Sequence, residues 1–416
     1  MADQLQFIWH PDARLFAGAT PIKRQTHNNP PHNKACGFCA IAALPTAPCL
    51  DQLGAQINSG HSFCIGGGSL CADTPVRHTH FMTLTGGSSG APKTILRSQA
   101  SWIQSFAQNA AMFGTSPADS IAVLGDLSHS LALYGVLEGL HLGCDVHALD
   151  GLRPDGQLRH CGDHSISILY ATPTQLKRLV AASRARVLPG LRLIMCGGGD
   201  LDKATHAAMR TLAPQANVHV FYGAAETSFI TISDSTTPAG SVGAAYPGVT
   251  LKILDDAGRV THGIGELWVQ SPYLFDRYAA GNSTETRWQD GFLSVGELGQ
   301  LDDTGFLWLR GRKTRMVTIA DQNVFPETVE RFIIDNHKIN DCAVLARPDA
   351  LRGHHLVAVV EAPKDAVLAD TIRRSCRAAF GPLIAPKAVM FVDDLPRRAS
   401  GKVDHGALTR LLKGSA

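Results

Sequence analysis

Apolar positions along the second quarter of the chain recur at two periods in turn. Residues 99–112 carry them at helical spacing, and 120–126, Ser-Ile-Ala-Val-Leu-Gly-Asp, reads as a buried strand. Helical periodicity returns over 131–142 and is followed by the apolar run 144–149. Residues 165–171 form the next strand pattern and run into Thr172-Pro173, where a helix starts and continues to about 185. A strand at 191–196, a helix at 200–212 and a strand at 218–222 complete the series. Strands alternating with helices imply an α/β fold whose mostly parallel sheet is covered on both faces. Ligands of such sheets sit beyond the carboxyl ends of the strands, where residues 86–93, 197–200 and 223–226 are expected to fall.

The pattern changes twice further on. From 250 to 310 short strands separated by turns, as at 265–270 and 305–309, predict a small β subdomain. After Gly311-Arg312 comes an α+β unit: a helix at 326–336, strands at 343–346 and 356–360, a helix at 370–380 and a strand at 388–392. The expected domains are therefore 1–311 and 312–416, with the boundary at 312–314. Residues 1–75 are the least legible. Residues 27–33 are turn-rich, 66–69 read as a loop, and a helix is expected over 35–53. No internal repeat is found.

Composition narrows the function. A chain of 416 residues is expected to hold two or three domains. With 44% hydrophobic and 18% charged residues it is not a disordered chain. A net charge of +2 offers no electrostatic case for nucleic acid or an acidic membrane surface. The first ten residues lack a secretory pattern, and no run of about 18 apolar residues appears, so a cytoplasmic protein without a membrane span is expected. Ten cysteines are scattered through a chain too long for a disulfide-stapled fold. Cys36 and Cys39 form a C-x-x-C with His27, His32 and Cys49 nearby, but no second ligand pair stands at defined spacing. Incidental thiols are the favoured reading there, with a metal or redox module as the alternative.

The stretch Phe81-Met-Thr-Leu-Thr-Gly-Gly-Ser-Ser-Gly-Ala-Pro-Lys93 carries the first chemistry. Its glycines let backbone N–H groups approach an anion, and Thr85, Ser88, Ser89 and Lys93 add hydroxyls and charge. Pro92 before the lysine rules out a Walker A loop, and no G-x-G-x-x-G runs through it. The order Thr-x-Gly-Ser-Ser-Gly-x-Pro-Lys resembles the nucleotide-binding loop of the adenylate-forming superfamily, which includes acyl-CoA synthetases and carrier-protein ligases. Gly86 stands where that family usually has Ser, and Ser89 where it has Thr.

Four further stretches fall in the family's order. Tyr222-Gly-Ala-Ala-Glu226 is similar to Tyr-Gly-x-Thr-Glu, with Ala225 replacing the threonine and so losing a hydrogen bond of about 1–3 kcal/mol if buried. Ser294-Val-Gly-Glu-Leu-Gly299 resembles Thr-Gly-Asp-Leu-Gly, with Glu297 in place of the aspartate that grips ribose. Gly311-Arg312 resembles the hinge motif, and Leu395 to Val403 the terminal Pro-x-x-x-x-Gly-Lys, with Lys402 as its lysine. Cys196-Gly-Gly-Gly-Asp-Leu201 suits both a tight turn capped by Asp200 and a flat ring lying on Gly198 and Gly199. His129 lies where the family lines its acyl pocket.

The resemblance implies a definite activity. A carboxylic acid, aryl or medium aliphatic, attacks ATP to give an acyl-adenylate and pyrophosphate, and the acyl group passes to the thiol of coenzyme A or of a carrier-protein phosphopantetheine. Lys402, His129 and Glu226 are the implied catalytic residues, and Glu226 with Ser89 the magnesium ligands. Thr85, Gly87, Ser88, Ser89, Gly90, Lys93, Gly198, Gly199, Tyr222, Gly223, Ala224, Ala225, Glu297 and Arg312 are the implied nucleotide contacts, and 312–416 is implied to be mobile. Two departures stand out. The region before the phosphate loop is shorter than in relatives, and Ala320 and Asp321 replace two glycines of the loop that lines the thiol path. They motivate the alternative of a nucleotide-binding protein without ligase activity.

Overall fold

The computed structural model describes residues 5–24, 38–67, 77–85, 93–320, 322–337, 339, 341–397 and 403–413. These divide into two compact units: residues 1–251 with 269–293, and residues 252–268 with 294–416.

The first unit is built on two sheets. Strands Leu15–Ala17, Asp145–Ala148, Ser120–Val123, Ile168–Ala171, Leu193–Gly197 and Asn217–Ala224 lie side by side in parallel register. Antiparallel strands at both edges bring the described sheet to nine. The two-residue period decides which helices each side chain meets. Ile121, Val123, Ile168, Tyr170, Leu193 and Met195 share a core with helices Gln99–Phe113 and Ser130–Leu142. Ala122, Leu124, Leu169, Ala171, Ile194 and Cys196 share another with helices Pro154–Asp163, Pro173–Ala182 and Lys203–Leu212. Both faces are covered, as the alternation predicts. Each large apolar side chain so buried contributes about 1.5–3 kcal/mol, far more than helix propensity.

The second sheet differs from expectation. Phe38–Ile41, Ser62–Ile65 and His80–Thr85 run parallel, but Lys93–Ser98 returns antiparallel with Thr85 opposite Lys93. Arg277–Ala280 adds the outer antiparallel strand. The glycine–serine stretch therefore connects a hairpin of a mixed five-stranded sheet, rather than a strand of the large parallel sheet to a helix. Two other boundaries move. Over 35–53 a strand, Phe38–Ile41, precedes a helix, Thr46–Ser59, because Pro45 cannot supply the N–H of a continuing helix. The cap expected at Asp200 is Asp202, whose carboxylate accepts from the Thr205 N–H and hydroxyl at 2.8 and 2.7 Å, so the helix begins at Lys203.

Between the sheets, Glu138 is buried on helix Ser130–Leu142 and accepts hydrogen bonds from Asn109 Nδ2 at 2.8 Å and from the Tyr170 hydroxyl. Burial outweighs these bonds and raises its pKa from 4.5 to about 7. The folded protein thus holds this proton where the unfolded chain has released it. Stability from this group is complete below pH 4.5 and is lost as pH rises towards 7. Glu138→Gln is expected to remove most of that slope, which urea unfolding at pH 5 and pH 8 checks.

In the second unit, Glu297–Leu301 and Leu307–Arg312 belong to the small β subdomain. Helix Pro326–Asn336 and helix Ala366–Ile384 cover strands Cys342–Asp349, Gly353–Glu361 and Ala388–Val392. The expected domain break at 312–314 falls inside this unit. The reason is local: the Arg312 N–H donates to Glu327 at 3.4 Å, tying the last subdomain strand to the helix that follows. No helix among the described residues is long and apolar enough to cross a membrane.

Candidate active site

Three loops lie at the carboxyl edge of the parallel sheet, and two of them meet the hairpin of the second sheet. The first follows strand Asn217–Ala224, which ends in Tyr222, Gly223 and Ala224, and carries Ala225 and Glu226. Gly223 is required for packing as much as for any ligand: a Cβ there would lie 1.8 Å from the Ser228 carbonyl oxygen. The Thr227 hydroxyl accepts from the Ala224 N–H at 2.9 Å and closes the turn. Ser228 has φ +56°, a left-handed conformation that costs a non-glycine residue about 1–2 kcal/mol. Its hydroxyl is gripped by Trp102 Nε1 at 3.1 Å and by Arg97, whose guanidinium also donates to the Ala225 carbonyl.

Arg97 is 0% exposed. Burial depresses its pKa to about 10 while Glu226 and Asp276 oppose the shift, so it stays a cation at neutral pH. Charge-assisted bonds of this kind are worth about 1.5–3 kcal/mol each. Arg97→Met, which keeps the volume and removes the donors, is expected to lower stability by about 2 kcal/mol. Urea unfolding measures it, and no change would show that the loop holds its own strain.

Glu226 is held from the other side. Its Oε1 accepts from the Tyr278 hydroxyl at 2.7 Å, and its backbone carbonyl accepts from the Phe275 N–H at 2.8 Å. Tyr278 also exchanges a hydrogen bond with the Thr286 hydroxyl at 2.8 Å. Over the same ring lies Lys93, 8% exposed, with Nζ 5.5 Å from the centroid. A carboxylate and a buried ammonium thus share one tyrosine. Burial first, then the Glu226 charge, drives the Tyr278 pKa upward, so the phenol remains a donor.

The second loop holds Gly198 and Gly199 beyond strand Leu193–Gly197, both exposed. Gly198 has φ +88°, so the backbone itself calls for glycine, and the nearest atom to an added Cβ is 3.7 Å away. The third carries His129, which precedes helix Ser130–Leu142 and makes a β-bridge to Leu84, one residue before Thr85. The structure therefore brings Thr85, Lys93, His129, Gly198, Gly199, Tyr222, Gly223, Ala224, Ala225 and Glu226 to one edge of the first unit. Gly87, Ser88, Ser89, Gly90 and Lys402 lie outside the described residues, as do Cys36 and Asp321. Arg97, Thr227, Tyr278 and Thr286 are contributions that no sequence motif marks.

In the second unit Glu297 and Arg312 are register partners on adjacent strands, with Arg312 Nε 3.1 Å from Glu297 Oε1. Ala320, in place of a family glycine, has φ +44° at the tip of the hairpin Val317–Ile319 and Gln322–Val324. Relief of about 1–2 kcal/mol of strain exceeds the 0.5–1 kcal/mol entropic cost of glycine. Ala320→Gly is accordingly expected to stabilise the protein by about 0.5–1 kcal/mol, read by urea unfolding.

A doubly covered parallel sheet with glycine-lined loops, a tyrosine-held glutamate and a hairpin lysine at its carboxyl edge defines an adenylate-forming enzyme. The chain belongs to the AMP-binding enzyme family: that family's pattern matches residues 47–279, and the AMP-binding enzyme C-terminal domain matches residues 328–402. It is 31% identical to an uncharacterized acyl-CoA ligase, YhfT of Bacillus subtilis, over 81% of this chain and 70% of that protein. Its fold is similar to O-succinylbenzoate coenzyme A synthetase (MenE) from Bacillus subtilis in complex with ATP and magnesium ion, at TM-score 0.70 and 21% identity over 90% of this chain and 79% of that one. It is also similar to the amide bond synthetase McbA from Marinactinospora thermotolerans, at TM-score 0.74 and 21% identity over 92% and 91% of the two chains. The chain is an AMP-forming acid–thiol ligase of the acyl-CoA synthetase type.

Proposed function

We propose that the carboxylate of an aryl or medium aliphatic acid attacks the α-phosphorus of ATP at the edge bounded by His129, Gly198 and Glu226. The new bond is carboxyl oxygen to phosphorus, and the bond to pyrophosphate breaks. A phosphopantetheine thiol, of coenzyme A or a carrier protein, then attacks the acyl carbon and AMP leaves. No side chain becomes a covalent nucleophile, so catalysis is positioning and charge stabilisation. The observation that carries this reading is Tyr278, which holds Glu226 by its hydroxyl and Lys93 by its ring.

Glu226 suits magnesium, since Mg²⁺ takes one or two carboxylates together with phosphate oxygens and water. Ser89 is the second proposed ligand. When bound, the ion neutralises charge on the phosphates. Lys93 and the glycine–serine loop, with Thr85 at its base, hold the phosphates, and Gly198, Gly199 and the 222–225 backbone lie against adenine. His129 lines the acid pocket, Glu297 and Arg312 hold the ribose, and Lys402 bridges the attacking carboxylate and the α-phosphate. The protein works in the cytoplasm.

The C-terminal part swings about Arg312 to Thr314 between the two half-reactions. Residues of this segment bond to both sides, the Arg312 N–H reaching Glu327 on the next helix. Lys313 donates its N–H to Gly296 at 2.8 Å and places Nζ 3.6 Å from Glu266, both in the β subdomain. Arg315 instead bonds Glu330 at 2.7 Å on the next helix. Hydroxylamine trapping over a panel of acids, with pyrophosphate release, tests the activity. Acid-dependent hydroxamate and pyrophosphate are expected. Silence across the panel with ATP still bound would instead mark a nucleotide-binding protein without ligase activity.

A further inference from the structure

Under helix Pro154–Asp163, on the sheet face away from helix Ser130–Leu142, three imidazoles converge that the adenylation chemistry leaves unused. His147 comes from strand Asp145–Ala148, with its ring stacked on Phe16 at 4.5 Å and 4°. His160 and His164 are one helical turn apart, at the end of that helix and just past it, and so point to the same side. His160 Nε2 lies 2.9 Å from His147 Nδ1, the His160 and His164 rings stack at 4.0 Å, and one nitrogen from each of the three lies within 4.8 Å of the others. His147 and His160 are buried and His164 is exposed.

A hydrogen-bonded histidine pair is the plainer reading, and it explains the first two residues. It does not explain a third imidazole turned onto the same point. A neutral imidazole has a lone pair to give a metal, and three rings face one point here. We propose that His147, His160 and His164 bind one divalent first-row transition cation, with Zn²⁺ as the expected occupant and water as the fourth ligand. Tetrahedral bonds of about 2.0–2.1 Å place ligand nitrogens roughly 3.4 Å apart. The 2.9 Å contact therefore opens slightly, and His164, at the exposed helix end, closes in. The proton now shared by His147 and His160 moves to the far nitrogen of its own ring, so that step releases no proton to solvent. The site pins the helix to the strand and is independent of the adenylation reading.

The test uses the full chain stripped with a chelator. Zn²⁺ titrated by calorimetry should bind at one equivalent, and Co²⁺ should give the visible bands of a tetrahedral ion without thiolate charge transfer. His164→Ala, at an exposed position that the fold tolerates, should weaken binding by more than the 10–100-fold that outer-shell partners are worth. His262→Ala, on an exposed turn, should leave affinity unchanged. Absence of saturable binding, equal affinity in His164→Ala, or a thiolate band that disappears in Cys36→Ser would each overturn the assignment.

Discussion

Lys402→Ala is expected to slow acyl-adenylate formation about a thousandfold while leaving the fold intact. A cation placed between an anionic carboxylate and an anionic α-phosphate acts where charge must be brought together, and loss of one such group costs about 3–4 kcal/mol. The fold should survive because the described residues on either side of this lysine are held by bonds that do not involve it. Arg397 and Val403 pair as a β-bridge, and Arg397 reaches Asp341 and Glu361 at 2.8 Å each. The Leu395 N–H also donates to Glu361 at 3.1 Å. Thiol transfer from a supplied acyl-adenylate should be nearly unchanged, since that step needs no approach of two anions. Pyrophosphate release with the acid, and thioester formation from the preformed adenylate, separate the two. Equal loss in both assays would mean that Lys402 acts on something other than the first step.

Glu226→Gln is the second large effect. The amide keeps an acceptor for the Tyr278 hydroxyl, and Thr227 and Arg97 still hold the turn, so stability should change little. What disappears is the charge. Turnover should fall about a hundredfold, and the Mg²⁺ concentration giving half-maximal rate should rise. A hundredfold fall with an unaltered Mg²⁺ requirement would assign Glu226 to orienting Tyr278 and Lys93 instead.

Much of this was legible because the chemistry sits in short, ordered motifs. Tyr222, Gly223 and Glu226 lie within five residues of one another, and the continuous apolar runs 121–123, 168–171 and 193–196 report directly on strands buried on both faces. Side chains that steady the site are another matter. Tyr278 is 52 residues from Glu226, and Arg97 is 128 from the carbonyl it binds. No local period links such partners. The second sheet was missed because its antiparallel return, Lys93–Ser98, begins and ends on polar residues and does not read as an apolar run. Asp200 reads as the cap because it directly follows the glycine run 197–199, whereas the hydrogen bonds to Thr205 come from Asp202 two residues on.

The central claim is that a carboxylate oxygen becomes bonded to the α-phosphorus. Turnover of a carboxyl-¹⁸O-labelled acid, chosen from those the hydroxylamine panel identifies, tests this by mass spectrometry of the nucleotide product. One labelled oxygen in AMP is the predicted result. Unlabelled AMP, or label appearing in inorganic phosphate with ADP as the nucleotide product, would contradict it.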